Sequence, residues 1–428
     1  MSDQGVKFKG LCRYGFGCAM LLGITPQYLG AWLVWRGITL PLPAWVYQWG
    51  DDHLYSMYQR LVLFFFETCT GVEVVMYGDS EDLLTKKETV LYFANHQSTV
   101  DWVVADMVSV RANSIGHLRY VMKNTLQLLP LYGWYFYTHG CIYVKRGCFN
   151  QGKMMQALDY LKHPKIPSWL IIFPEGTRFH PSTPSAIEKS KEFACKNNLT
   201  PLQHLLTPKH KGMWLAVEHL HSKLDALYDV SVFYEGSVDT RTGERRDAPQ
   251  LVDFLLGRCS RVHIKVRRIP ISQVPKTEEK FKTWLHETFV EKDALLRPFF
   301  TGVIDSSCEL ASRNESQVDR TNSFSSTQEL DAQNVLRTSK SGSLYPDLDS
   351  DNVVNGDVSF KYNYNRLSRQ CGGVTSPLSL WATVPSFLVF GASCVVMAWS
   401  PWTRRLFWSL LGYGTLGTYA WLAVRNVC

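Results

Sequence analysis

Eleven cysteines are scattered through the 428-residue chain, and no two of them form a C-x-x-C pair. An odd, unpatterned set argues against a zinc ribbon or a disulfide scaffold, and for free thiols in a reducing compartment. His117 and His139 keep no ligand spacing with another His or Cys, so no metal site is expected. There is no arginine-rich tract and no interleaved basic-aromatic array, which removes the usual grounds for a nucleic-acid partner. Charge of one sign is not in great excess either: the formal net value is +7, which suits an anionic partner without demanding one. No A-x-A cleavage pattern follows the first apolar run, and that run is long for the core of a cleaved signal peptide.

Aromatic residues, by contrast, are plentiful. Fourteen Trp and 20 Tyr, many beside apolar runs, suit a chain at a membrane-water interface. Residues 16–35 carry no charge and are about as long as a bilayer-crossing helix needs, although Pro26 and Gln27 interrupt them and allow a kinked or partly inserted one. A second patch, residues 61–66, is too short to span and is expected against the membrane or the core. From residue 72 to 298 strand-like and helix-like patterns alternate, which is α/β. Strands are expected over 72–77, 90–94, 140–146, 169–173, 230–234 and 262–268. Helices are expected over 102–110, 151–162, 185–197, 214–224 and 276–289, with Ser185 and Glu188 as a capping box for the third. His263, Lys265 and Arg267 alternate with apolar residues and read as the solvated face of their strand. The bulky run 126–137 reads as an acyl channel lining, a bilayer contact or plain core.

Residues 302–376 lose all apolar periodicity and fill with Ser, Asn and Asp, the composition of a disordered linker. Two apolar runs follow, 378–400 and 406–424, joined by Pro401-Trp402-Thr403-Arg404-Arg405, and are expected to form a transmembrane hairpin. The expected organisation is therefore an anchoring segment (1–70), a catalytic α/β domain (71–300), a linker (301–376) and the hairpin (377–428).

The densest chemistry lies in Asn95-His96-Gln97-Ser98-Thr99-Val100-Asp101. With a strand before it and a helix after it, His96 falls in the turn and Asp101 in the first helical turn. Ligands of α/β proteins tend to bind at that end of a sheet. A carboxylate there can hold one imidazole nitrogen and leave the other, unprotonated, toward a substrate hydroxyl. The competing reading is structural: Ser98 and Asp101 also match a capping box, with His96 an ordinary turn residue. Ser98 lacks the G-x-S-x-G surroundings of a nucleophile, and a helix cap is its simpler role. Two further strands end in chemistry. One is Gly140-Cys141-Ile142-Tyr143-Val144-Lys145-Arg146, and the other runs through Phe173 into Pro174-Glu175-Gly176-Thr177-Arg178. Cations at strand ends either grip an anion or are solvated surface, and Gly176 lets the backbone approach a ligand.

In this order and at these spacings, the Asn-His-x-x-x-x-Asp, Gly-x-Ile-x-x-x-Arg and Phe-Pro-Glu-Gly-Thr-Arg blocks resemble the first three signatures of the lysophosphatidic acid (1-acyl-sn-glycerol-3-phosphate) acyltransferase family. Thr70-Gly71-Val72 to Gly78, Leu131-Tyr132-Gly133, Tyr234-Glu235-Gly236 and Trp284-Leu285-His286-Glu287 resemble its epsilon type, so the likeness covers residues 20–298. Thr207-Pro208-Lys209 is a poor match to the fourth, proline-containing block.

The resemblance implies a glycerolipid acyltransferase-like αβ domain with an N-terminal membrane helix and the C-terminal hairpin. It makes His96 the general base and Asp101 its orienting carboxylate. Lys145, Arg146, Glu175, Gly176 and Arg178 fall to acceptor binding, although Glu175 can equally pair with Arg178. The implied reaction moves a fatty acyl group from acyl-CoA, a co-substrate, to the sn-2 hydroxyl of lysophosphatidic acid, with no cofactor and at a phospholipid bilayer. An integral protein of the endoplasmic reticulum, or of a mitochondrial membrane, would follow. The alternatives are another lysophospholipid acceptor (lysocardiolipin, lysophosphatidylinositol) and a non-catalytic lipid-binding role.

Overall fold

The computed structural model describes residues 3–145, 149–239, 242–301 and 372–427. Arg146 and nearly all of the expected linker therefore lie outside the described residues. Twelve α-helices are described: α1 (Asp3–Ile38), α2 (Ala44–Leu63), α3 (Ser80–Thr85), α4 (Asp101–Arg111), α5 (Tyr132–Thr138), α6 (Gln151–Leu161), α7 (Pro184–Lys196), α8 (His210–Leu220), α9 (Leu251–Leu255), α10 (Glu278–Thr301), α11 (Val384–Trp399) and α12 (Pro401–Val427). The strands are β1 (Glu73–Gly78), β2 (Val90–Ala94), β3 (Leu118–Lys123), β4 (Ile142–Val144), β5 (Trp169–Ile172), β6 (Ala226–Tyr234), β7 (Arg261–Pro270) and β8 (Val374–Thr375).

The eight strands form one mixed sheet in the order β4-β3-β5-β2-β6-β7-β1-β8. From β4 to β6 every neighbour is parallel; β6 meets β7, and β1 meets β8, antiparallel. A parallel centre must be covered on both faces, and its strands are correspondingly apolar throughout. All five residues of β2 are buried. Because strand side chains alternate, Val90, Tyr92 and Ala94 enter one apolar layer and Leu91 and Phe93 the other. The first layer is shared with α1, α2 and α4, and the second with α6, α8 and α10.

Several local expectations change. No side chain caps α7, which starts at Pro184 behind Thr183, so Ser185 and Glu188 form no capping box. Helix α8 begins earlier than expected and α10 runs well past Phe289. Strand β3 was not expected at all. Residues 61–66 pack inside, and Leu61, Phe65 and Phe66 are buried. The run 126–137 splits: Tyr135 is core, whereas Leu126, Leu128, Leu129 and Tyr137 are exposed. The polar face of β7 is solvated only in part, for Lys265 and Arg267 keep partial exposure. His263 is buried, donor or acceptor to Tyr77 and Glu235 on its two nitrogens, and Arg267 pairs with Asp229 and Glu291.

Among the described residues one helix is long and apolar enough to cross a membrane, Phe8–Ile38, and Pro26 does not break it. One side of it is built into the protein through Ile24, Tyr28, Leu29 and Trp32, while Phe8, Phe16, Leu22 and Val34 are exposed. Helices α11 and α12 meet at 108° and reach the same hydropathy standard only as a pair. At ~1.5 Å per residue a 16-residue helix such as α11 is shorter than a bilayer core. The seven cysteines among the described residues are all unpaired.

Candidate active site

Because β2, β5 and β6 are parallel, their carboxyl ends open onto one rim, and the turns leaving them meet there. Asn95 continues the β2–β6 ladder with its side chain. Its amide nitrogen donates to the Val232 carbonyl (3.0 Å), and its oxygen accepts from the Val232 N–H (2.8 Å). That clamp delivers His96 to the rim.

The imidazole Nδ1 of His96 lies 2.6 Å from Asp101 Oδ2. The same oxygen accepts the N–H groups of Gln97 (2.8 Å) and Ser98 (3.0 Å), so the carboxylate is fixed by the turn it fixes. Its other oxygen accepts the Tyr234 hydroxyl at 2.5 Å. Asp101 is almost fully buried, whereas a fifth of the His96 side chain is exposed, its ring stacked on Phe173 at 4.6 Å. With Nδ1 committed, Nε2 is the nitrogen left to take a proton.

The capping-box reading survives only in half. Asp101 does accept the Ser98 N–H, but α4 starts at Asp101 behind Val100, and no side chain caps it. Ser98 Oγ instead donates to the Pro249 carbonyl (2.5 Å) and accepts the Val100 N–H (3.1 Å). It ties the turn to the segment before α9, and nothing prepares it as a nucleophile.

Glu175 is buried, and both of its oxygens accept main-chain donors: the N–H of His96 (2.7 Å) and of Leu206 (2.9 Å). It neither pairs with Arg178 nor faces outward, and its place is behind the histidine. Burial pushes its carboxyl up to about 8, against the downward pull of those two N–H groups and of Lys292. Gly176 takes φ +68°, and Lys209 lies over it, 3.3 Å from where a Cβ would stand. The weak fourth block thus folds onto the third, with the Lys209 N–H also donating to the Pro174 carbonyl (2.8 Å). Arg178 donates to Gln250 Oε1 (3.3 Å), which also accepts the Thr99 N–H (3.2 Å). Lys145 is exposed just past β4 on the same rim, three strand spacings from β2, or about 14 Å.

His96, Asp101, Glu175, Gly176 and Arg178 are thus one cluster, with Lys145 along the rim. Sequence reasoning missed the parts that come from far along the chain: Tyr234, Gln250 and Lys292. Tyr234 stands in the sequence as part of a short block, and nothing local in it points to Asp101.

A second cluster was also unforeseen. Asp51, Asp52 and His139 bring ligand atoms within 4.8 Å of one another. Arg119 occupies the middle, donating to Asp52 (2.5 Å) and lying 2.8 Å from His139 Nε2, while His139 Nδ1 lies 2.5 Å from Asp51. The guanidinium takes the lone pair a cation would need, so these residues fit an ion-pair network better than a metal centre.

A family model described as Acyltransferase matches residues 78–235, and one described as Acyltransferase C-terminus matches residues 253–309. A mouse protein, 1-acyl-sn-glycerol-3-phosphate acyltransferase epsilon, is 37% identical over 96% of each chain. An Arabidopsis thaliana protein, probable 1-acyl-sn-glycerol-3-phosphate acyltransferase 5, is 35% identical over 56% of this chain and 60% of its own. Lysocardiolipin acyltransferase 1 of Gallus gallus is 28% identical over 69% of this chain and 75% of its own. The crystal structure of the 1-acyl-sn-glycerophosphate (LPA) acyltransferase PlsC from Thermotoga maritima superposes with a TM-score of 0.38 at 16% identity, over 67% of this chain and 98% of that one, too loosely to carry an argument.

Proposed function

This chain belongs to the 1-acyl-sn-glycerol-3-phosphate acyltransferase family, and on that footing we propose that it acylates the sn-2 hydroxyl of 1-acylglycerol-3-phosphate from acyl-CoA, giving phosphatidic acid. The observation that carries the chemistry is the 2.6 Å contact of His96 Nδ1 with a carboxylate fixed by two main-chain N–H groups and a tyrosine. Nε2 takes the acceptor's proton as its oxygen attacks the thioester carbonyl. The tetrahedral oxyanion then collapses, the C–S bond breaks, and the imidazolium returns the proton to the leaving thiolate. General-base assistance of this kind contributes about 10²–10⁴-fold. The donor is already activated, so the reaction needs no covalent enzyme intermediate and no cofactor.

Acceptor binding falls to the cations of the rim. Arg178 and Lys209 flank Gly176, and Lys145 stands farther along; Arg146, which the resemblance gives the same role, lies outside the described residues. Fixed positive charge suits a phosphomonoester. Glu175 leaves the acceptor-binding set and becomes a support for the His96 main chain. The proposed setting is a bilayer, which the apolar α1 and exposed Trp399, Trp402 and Trp408 on the C-terminal helices support, with the endoplasmic reticulum or mitochondrion as the proposed compartment.

Purified full-length protein, offered acyl-CoA and a panel of lysophospholipids, should release coenzyme A fastest with lysophosphatidate. The likeness to a lysocardiolipin acyltransferase favours a second reading, and a preference for lysocardiolipin would replace the first. Arg178→Ala should raise the acceptor KM by at least about 10-fold while leaving that of acyl-CoA, a charge-assisted contact being worth about 1.5–3 kcal/mol. An unchanged acceptor KM would remove Arg178 from the phosphate grip.

A further inference from the structure

The proposed chemistry uses one oxygen of Asp101, and the structure spends a second contact on the other. Oδ2 collects His96 Nδ1 and two main-chain N–H groups, while Oδ1, among the described residues, accepts the Tyr234 hydroxyl alone, at 2.5 Å. Tyr234 closes β6, is wholly buried, and packs edge-on against Phe254 at 5.8 Å. A second tyrosine supplies a contrast. Tyr92, on the adjacent β2, is equally buried and enters the same apolar layer, yet among the described residues its hydroxyl meets no partner. Two buried phenols thus stand near one carboxylate, and one of them touches it.

We propose that Tyr234 is a positioning residue for the reaction: its O–H fixes the plane of the Asp101 carboxylate, so that Oδ2 stays on His96 Nδ1 and Nε2 stays aimed at the acceptor. A carboxylate turns readily about Cβ–Cγ, and a buried oxygen without a donor is strongly unfavourable. Removing the hydroxyl leaves Oδ1 unsatisfied and lets the group rotate to share its donors, which loosens the imidazole. Burial and the neighbouring carboxylate hold the Tyr234 phenol far above its usual ionisation range, so it remains a donor throughout the working pH. The inference rests on the reading of His96 and Asp101 as the catalytic pair.

The test uses full-length protein carrying Tyr234→Phe, Tyr92→Phe, Asp101→Asn, and Tyr234→Phe combined with Asp101→Asn, each followed by coenzyme A release and by melting. Tyr234→Phe should lower kcat about 10-fold, the lower end of the scale on which the outer partners of metal-held histidines act, with both KM values unchanged. Tyr92→Phe should leave kcat at the wild-type value. In the Asp101→Asn background Tyr234→Phe should lower the residual rate no further, because residues that act as a unit are not additive. A full additive loss in the double variant would make Tyr234 a structural residue and overturn the proposal. Wild-type turnover in Tyr234→Phe beside an inactive Asp101→Asn would overturn it while sparing the pair. A fully active Asp101→Asn would overturn both. If Tyr234→Phe does not fold, replacing Tyr234 by 3-fluorotyrosine, a stronger donor of similar size, keeps the question open to measurement: an altered kcat supports the proposal and an unaltered one refutes it.

Discussion

His96 and His139 each meet an aspartate through Nδ1, at 2.6 and 2.5 Å, and the two pairs differ in everything around that contact. His96 stands at the rim with a fifth of its side chain exposed and Nε2 uncommitted among the described residues, whereas His139 and Asp51 are wholly buried. The His139 ring lies between Tyr55 (4.1 Å) and Tyr135 (5.6 Å), and its Nε2 faces Arg119 and the Leu118 carbonyl. Burial and the neighbouring guanidinium hold that imidazole below its usual range, so it stays neutral and both nitrogens are spent on the fold. A His–Asp contact is thus no sign of catalysis in itself; what the far nitrogen faces decides.

The comparison breaks most sharply at Asp101. Asp101→Asn should cut turnover by about 10³–10⁴-fold, because an amide can hold the wrong imidazole tautomer and cannot stabilise the imidazolium. Coenzyme A release measures it, and activity within threefold of wild type would return His96 to the class of His139. Asp51→Asn should do the converse. Taking the carboxylate acceptor from buried His139 and Gln48 should destabilise the fold by about 1.5–3 kcal/mol, with turnover per folded molecule nearly unchanged. A melting curve that did not move would show that the buried pair holds nothing together.

Glu175 sharpens the same contrast as a third buried acid. Its folded-state carboxyl sits at about 8, above its ordinary value. Between that value and about 8 the folded state holds a proton that the unfolded state has released. Stability should therefore fall as pH rises through this window, by up to about 1.4 kcal/mol per pH unit, and level off above it. Denaturant unfolding from pH 5 to 8 checks the slope, and Glu175→Gln should flatten it; equal slopes would place the ionised form in the fold at all these pH values. The smallest effect is expected at Ser98. Ser98→Ala removes the contacts to the Pro249 carbonyl and from the Val100 N–H and should cost about 1 kcal/mol in a melt while leaving most activity, and an inactive, stable variant would contradict it.

How far the site was legible follows from sequence separation. His96 and Asp101 are five residues apart in one strand-turn-helix unit, whose apolar run and turn are local signals. Strand β3 escaped notice because Leu118-Arg119-Tyr120-Val121-Met122-Lys123 carries charge at both ends. Its Arg119 is buried only because Asp52 of α2 and His139 behind α5 converge on it. On β7, alternation showed which residues share a face but not that His263 on the polar face is covered. The same pattern suits a wet strand or a central one whose polar groups are paired.

The sequence by itself determined the α/β alternation and most of its longer elements, the apolar first helix, the family, and the turn that holds His96 beside Asp101. Each rests on periodicity or on spacing within a few residues. The tertiary structure alone decided that Glu175 stands behind His96 and that Lys209 covers Gly176. It also decided that Tyr234, 133 residues from Asp101, completes the carboxylate, and that His139 is sealed in the core. Those outcomes depend on which strands become neighbours. Parallel pairing of β2 with β5 and β6 brings three distant turns to one rim, and no local pattern encodes that pairing.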